Sequence, residues 1–161
     1  MTKGKVIEDI NLLKEKLLKE KNNNKRIVFT NGCFDLIHKG HITLLKKAKN
    51  EGDILVVAVN SDESVRKLKG EGRPMFPAYE RAEILASFQM VDFVTIFNEE
   101  TPYKIILQLK PDILVKGGDW GKDQVVGRDI VEENGGKVVI IPQVKDHSTS
   151  KIIEKIRDNH G

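Results

Sequence analysis

Apolar residues fall along the chain in two rhythms. In KVIEDINLLKEKLLKE, Val6, Ile10, Leu13 and Leu17 are spaced by four, three and four residues, the repeat that lines one face of an amphipathic helix. Asn22, Asn23 and Asn24 break it. This predicts an N-terminal helix and linker over residues 1–24, packed on the domain of residues 25–161 or on a second subunit. Short apolar, β-rich runs then take over: IVF at 27–29, ILVVAV at 54–59, DFVTIF at 92–97, DILVK at 112–116 and KVVII at 137–141. Helical patterns accompany them near 40–50, 77–88, 102–109, 124–133 and 149–158.

Runs such as ILVVAV are apolar throughout, as expected of strands covered by helices on both faces. Strand and helix in alternation predict a doubly wound, five-stranded parallel α/β sheet with an extra N-terminal helix. Thr101 before Pro102 reads as an N-cap with proline at the first helical position, and Gly135-Gly136 as the end of the helix before the last strand. Ligands of such sheets bind beyond the carboxyl ends of the strands. The loops after Phe29, Val59, Val115 and Ile141 are therefore the places to look for chemistry.

Composition removes several classes of function. With 161 residues, 39% of them hydrophobic and 32% charged, the chain reads as one soluble domain. Seven lysines against four acids in residues 1–25 account for the whole net charge of +3. The remainder is balanced, which argues against a nucleic-acid surface, since that needs concentrated Lys and Arg. Cys33 is the sole cysteine, so neither an internal disulfide nor a cysteine-based zinc cluster can form. No leader-like N-terminus and no run near 18 apolar residues is present; a cytoplasmic protein without membrane partners is expected.

The first predicted strand runs into TNGCFDLIHKGH, residues 30–41. With a helix starting near Lys39, His38 and His41 lie beside its N-terminus, where free N–H groups and the helix dipole favour an anion. Gly40 removes a side chain that would hold a phosphate at a distance, and Asp35 could fix a tautomer or orient the loop. Zinc ligation lacks a third ligand and an HExxH spacing, and a dinucleotide site lacks GxGxxG.

Three further segments carry candidate chemistry. In HSTSKIIEKI, Ser148, Thr149 and Ser150 bring hydroxyls to a helix start, as a phosphate site or as an ordinary N-cap. Asp146, His147 and Ser148, as chain neighbours, cannot form a hydrolytic triad. In VRKLKGEGRP, residues 65–74, Arg66, Lys67, Lys69 and Arg73 with Gly70 and Gly72 read as a mobile cationic loop able to close over polyphosphate, or as a solvated charged loop. In VKGGDW, Gly117 and Gly118 could let a base or sugar lie on bare backbone, with Asp119 accepting hydrogen bonds and Trp120 offering a stacking face, or could be a plain turn.

Taken together, the HxGH of His38, Lys39, Gly40 and His41 and the late Ser148, Thr149 and Ser150 resemble the nucleotidylyltransferase superfamily. TNGCFDLIHKGH, AVNSDESVRKLKGEGRP, the Glu80-Arg81 pair and LVKGGDW are most similar to the adenylyltransferase domains of bacterial ADP-heptose synthesis, over residues 26–157. The resemblance implies a Rossmann-like fold and transfer of AMP from ATP to D-glycero-β-D-manno-heptose 1-phosphate, with pyrophosphate released. A related CTP-dependent enzyme acting on glycerol phosphate is the alternative, and a nucleotide sensor without turnover is a further one.

The roles implied by the resemblance are specific. His38, His41 and Lys69 are catalytic at the α-phosphate. Nucleotide contacts come from Thr30, Asn31, Gly32, Cys33, Phe34, Asp35, Gly40, Lys116, Gly117, Gly118, Asp119, Ser148, Thr149 and Ser150. Arg73 and Arg81 contact the sugar phosphate. Mg²⁺ enters with ATP, without a dedicated protein ligand set. A separate kinase supplies the sugar 1-phosphate, and the apolar stripe of the N-terminal helix makes a homodimer plausible.

Overall fold

In the computed structural model, which describes residues 5–118, 120–145 and 147–160, β2 (Ile27–Gly32) lies at the centre of a parallel sheet between β3 (Ile54–Asn60) and β5 (Ile113–Gly117). Beyond β3 comes β4 (Phe93–Phe97), and beyond β5 comes β6 (Lys137–Ile141). These are the five expected strands. The chain moves outward in one direction from β2 through β3 to β4, then returns to the other side of β2 for β5 and β6. The reversal opens a crevice at the carboxyl ends of β2 and β5, the usual ligand position in such a sheet.

Alternate strand residues feed two cores. Ile27 and Phe29 of β2, Val56 and Ala58 of β3 and Leu114 of β5 pack with α1 (Ile10–Asn22), α5 (Tyr103–Leu109) and α6 (Arg128–Glu133). Val28, Leu55, Val57, Val59 and Val115 pack instead with α2 (Lys39–Asn50) and α4 (Ala78–Ala86). Burial on both faces explains the uninterrupted apolar runs. At the amino ends, Asp53, Asp92 and Asp112 accept the backbone N–H groups of Arg26, Leu55 and Ile27 at 2.8, 2.7 and 2.8 Å. Asp92 and Asp112 thus precede β4 and β5, where the sequence pattern had included them in strands.

The N-terminal pattern resolves differently from its helical spacing. Lys5 and Val6 form a two-residue strand, β1, parallel to β4 at the sheet edge, so the sheet has six strands. The helix starts at Ile10, after Asp9, whose carboxylate accepts the Asn11 and Leu12 N–H groups. Leu13 and Leu17 are buried in the chain's own core, so their stripe no longer argues for a dimer.

Three other expectations change. Residues 65–69 are not loop: α3 (Asp62–Lys69) is capped by the Ser61 hydroxyl, with Asp62 and Glu63 in its first turn and Arg66, Lys67 and Lys69 in its last. Those charges complement the helix dipole, and the loop begins only at Gly70, at φ +94°. The cap of α5 is Pro102, not Thr101. The helix expected at 124–133 is a 3₁₀ turn, Lys122–Gln124, then α6. Between them Gly127 has φ +92°, and a Cβ there would come within 2.7 Å of Ile106 Cδ1. The last helix, α7 (Thr149–His160), starts where expected.

Candidate active site

The loop from β2 to α2 folds back so that His38 becomes the N-cap of α2. Its Nδ1 accepts the Gly40 N–H at 3.1 Å, while the His41 Nδ1 accepts the His38 N–H at 3.3 Å. A neutral imidazole whose Nδ1 accepts carries its proton on Nε2. Both rings therefore keep an N–H to offer outward, and they stack with centroids 3.8 Å apart. Backbone N–H groups, not Asp35, set the tautomers. The Gly40 and His41 N–H groups are engaged within the cap, so the free N–H groups expected at this helix start are already taken and the imidazole Nε2–H groups are the donors left beside it.

Gly40 is required for a reason that spacing did not show. A Cβ there would come 2.9 Å from His38 Cε1 and 3.5 Å from the His147 Cβ. The absent side chain makes room for the imidazole that folds over the helix start. Burial, reinforced by the neighbouring His38, pushes the His41 pKa down to about 4. Burial, then His147, also lowers that of His38. Near neutrality the pair therefore consists of uncharged hydrogen-bond donors.

Positive charge comes from two lysines and an arginine. An open cavity of about 650 Å³ lies over the crevice, lined by Lys69 from the end of α3, Lys116 from β5, and Arg73. Burial pushes the Lys116 ammonium below the usual lysine value, and its Nζ lies 5.3 Å from the centroid of the Trp120 ring. A phosphate would relieve that desolvation. Burial outweighs the nearby cations at Cys33 and pushes its thiol pKa up, leaving no activated sulfur nucleophile.

Most of the expected site residues meet here. Asn31, Gly32, Cys33, Phe34, His38, Gly40 and His41 line the cavity from the β2 side, Lys116 and Gly117 from β5, and Ser148, Thr149 and Ser150 from the start of α7. The hydroxyls there have divided tasks. The Thr149 hydroxyl donates to the Leu36 carbonyl at 3.0 Å, fastening α7 to the histidine loop. Ser148 Oγ accepts the Lys151 N–H at 3.1 Å.

Four expected contacts are placed elsewhere. Thr30 is buried within β2. Gly118, at φ +115°, turns the chain and donates its N–H to the Ile141 carbonyl. Asp35 is buried, with its carboxylate accepting from Arg73 Nε and from the Met75 and Phe76 N–H groups. Arg81 is fully buried and donates to the carbonyls of Phe76, Cys33 and Asn60 and to Asp62. Its guanidinium is a clamp inside the fold, not a phosphate contact. Asp119 lies outside the described residues.

Sequence reasoning missed several lining residues: Asn60, Glu100, Thr101 and His147. Asn60 is at the carboxyl end of β3, and its side chain donates to Ser64 Oγ, which donates to the Glu99 carbonyl. That chain of bonds fixes the loop bearing Glu100 and Thr101. The strand-end rule pointed to the loops after Val59 and Ile141, near Asn60 and His147, but the loop after β4 that bears Glu100 and Thr101 was not among those singled out. Among the described residues no cluster of three or more His, Cys, Asp or Glu side chains is able to hold a metal, and no helix is long and apolar enough to cross a membrane.

Uncharged imidazole donors beside lysines, at the switch point of a parallel sheet, suit phosphoryl chemistry in which alignment and charge stabilisation do most of the work. The chain belongs to the cytidylyltransferase-like family, whose model matches residues 29–155. It is 56% identical over 144 residues to the "Bifunctional protein HldE" of Campylobacter jejuni, covering 89% of this chain and 30% of the relative. It is 51% identical over 154 residues to the protein of that name from Citrifermentans bemidjiense, covering 96% and 32%. The chain thus spans about a third of the length of these curated relatives.

Among solved structures, a lipopolysaccharide core biosynthesis protein from Thermoplasma volcanium is 31% identical, with TM-score 0.62, over 76% of this chain and 99% of that one. Pantothenate synthetase from Thermus thermophilus, at 19% identity, TM-score 0.60, and 88% and 62% coverage, shares the fold.

Proposed function

We propose that the chain transfers AMP from ATP to D-glycero-β-D-manno-heptose 1-phosphate, giving ADP-heptose for lipopolysaccharide or another surface glycan and releasing pyrophosphate. The observation that carries this reading is the His38–His41 pair, stacked at 3.8 Å with both Nδ1 atoms occupied, beside a cavity lined by Lys69 and Lys116. Support for the acceptor comes from the TNGCFDLIHKGH and LVKGGDW resemblance, the relatives named HldE, and the lipopolysaccharide core biosynthesis neighbour.

A sugar phosphate is already an anionic nucleophile, so the site needs no general base. The obstacle is repulsion between two anions. The Nε2–H groups of His38 and His41 hold the α-phosphate through hydrogen bonds that strengthen as charge gathers on its oxygens, while Lys69 and Lys116 reduce the repulsion that the anionic acceptor meets on approach. A bound phosphate also favours protonation of the imidazoles, partly reversing the effect of burial. Lysine and imidazole donors with few carboxylates fit an ion that arrives on the nucleotide: Mg²⁺ held by the triphosphate would offset the remaining charge. The sugar 1-phosphate is supplied by a kinase step, and the reaction takes place in the cytoplasm.

The test is a matrix of ATP, CTP and GTP against heptose 1-phosphate, other sugar 1-phosphates and glycerol 3-phosphate, read by pyrophosphate release. ATP with heptose 1-phosphate should give the highest kcat/KM. A maximum at CTP with glycerol 3-phosphate would replace this reading with the polyol one. Release that ignores the acceptor would refute both.

A further inference from the structure

We propose that His147 is a third imidazole donor of the site, binding the outer phosphates of the triphosphate. The proposal rests on the reading that the site binds a nucleoside triphosphate, and adds a residue to which the sequence assigned no role.

His147 lines the cavity immediately before α7. Its ring lies nearly parallel to that of His38, at 20° and 6.4 Å between centroids. Its Cβ sits 3.5 Å from where a Gly40 side chain would begin. The starts of α2 and α7 therefore converge, fastened together by the Thr149 hydroxyl on the Leu36 carbonyl. That bond consumes the proton which Thr149 would otherwise give to a phosphate. With Thr149 committed to holding the helix, the side-chain donors lining this end are the Ser148 and Ser150 hydroxyls and the His147 ring. His38 and His41 stand on the α2 side, and His147 faces them from the α7 side. A triphosphate lying across the gap would meet His38 and His41 at its inner phosphate and His147 further along the chain of phosphates.

The experiment is titration calorimetry of the full chain with Mg·ATP, inorganic tripolyphosphate and AMP, for the wild type, His147→Phe and His147→Gln. Phenylalanine keeps a ring beside His38 and loses the donor; glutamine keeps a donor and loses the ring. Thermal melts establish that each variant is folded. His147→Phe should weaken ATP and tripolyphosphate about tenfold or more, the scale of one hydrogen bond to a charged group. AMP should bind both proteins alike, and His147→Gln should recover most of the loss. Wild-type tripolyphosphate affinity in His147→Phe, equal losses in the two variants, or no binding of ATP or tripolyphosphate by the wild type would each overturn the proposal. No sugar phosphate is present, so the result stands apart from the pyrophosphate assay. A wild type that binds tripolyphosphate but releases no pyrophosphate with heptose 1-phosphate refutes the acceptor and leaves the His147 result intact.

Discussion

Asp35 and Arg73 form a buried ion pair, with Arg73 Nε 2.9 Å from Asp35 Oδ2 and only 12% and 1% of their side chains exposed. The same carboxylate accepts the Met75 and Phe76 N–H groups. One side chain thus ties the loop after α3 to the end of β2, and it places Arg73 at the cavity rim. Removing one member of such a pair leaves an uncompensated buried charge, which costs about 3–5 kcal/mol. Asp35→Ala should lose stability on that scale in urea unfolding, and a loss below about 1 kcal/mol would show that the loop does not depend on it.

Arg81 spends its donors on the Cys33, Asn60 and Phe76 carbonyls and on Asp62. It joins the ends of β2 and β3 to α3 from inside the fold. Arg81→Lys cannot reproduce that fork and should lower the melting temperature clearly. A substrate-contact role would give the reverse signature, an unchanged melt with a raised KM for the sugar phosphate.

On the proposed mechanism, His41→Ala removes a preorganised donor at the reacting phosphate. The single-turnover rate should fall by roughly 10²-fold or more. A folded variant with near wild-type turnover would remove His41 from the mechanism.

The lowered His41 pKa also links protons to folding. In the unfolded chain the ring titrates near its ordinary value of 6.5, whereas in the folded chain it does so at about 4. Below pH 6.5 the unfolded state binds more protons, so the contribution of His41 is fully present above that pH. It declines as the pH falls and is lost below about 4. Urea midpoints of wild type and His41→Phe between pH 7 and 4 check the sign: the wild type should lose stability more steeply than the variant.

Lys69 ends α3 and reaches the cavity from a helix whose fold rests on the Ser61 cap and on buried Ser64 and Val65. Lys69→Ala should therefore abolish most turnover while leaving the melting temperature within a few degrees. Unchanged kinetics would exclude Lys69 from the site.

The sheet was legible because strands covered on both faces must be apolar throughout, and turn residues separate them. α3 was not, because a short helix burying only Ser64 and Val65 leaves little apolar periodicity among its charges. β1 was hidden because two residues are too few for any rhythm, and Val6 happens to stand four residues before Ile10. The histidine motif was legible as chemistry. Its electrostatics were not, since charge state depends on burial by residues far along the chain.

From its order of residues alone, this protein had its strand and helix alternation, the HKGH turn at a helix start and the late hydroxyl segment, because these are local and written in spacing. Only the folded chain decided which polar groups face the cavity. Arg81 and Asp35 turned inward to hold loops, Thr149 gave its proton to Leu36, and His147 came up beside His38. These assignments depend on which side chains are desolvated and what partners they find there, and contacts between distant segments determine both.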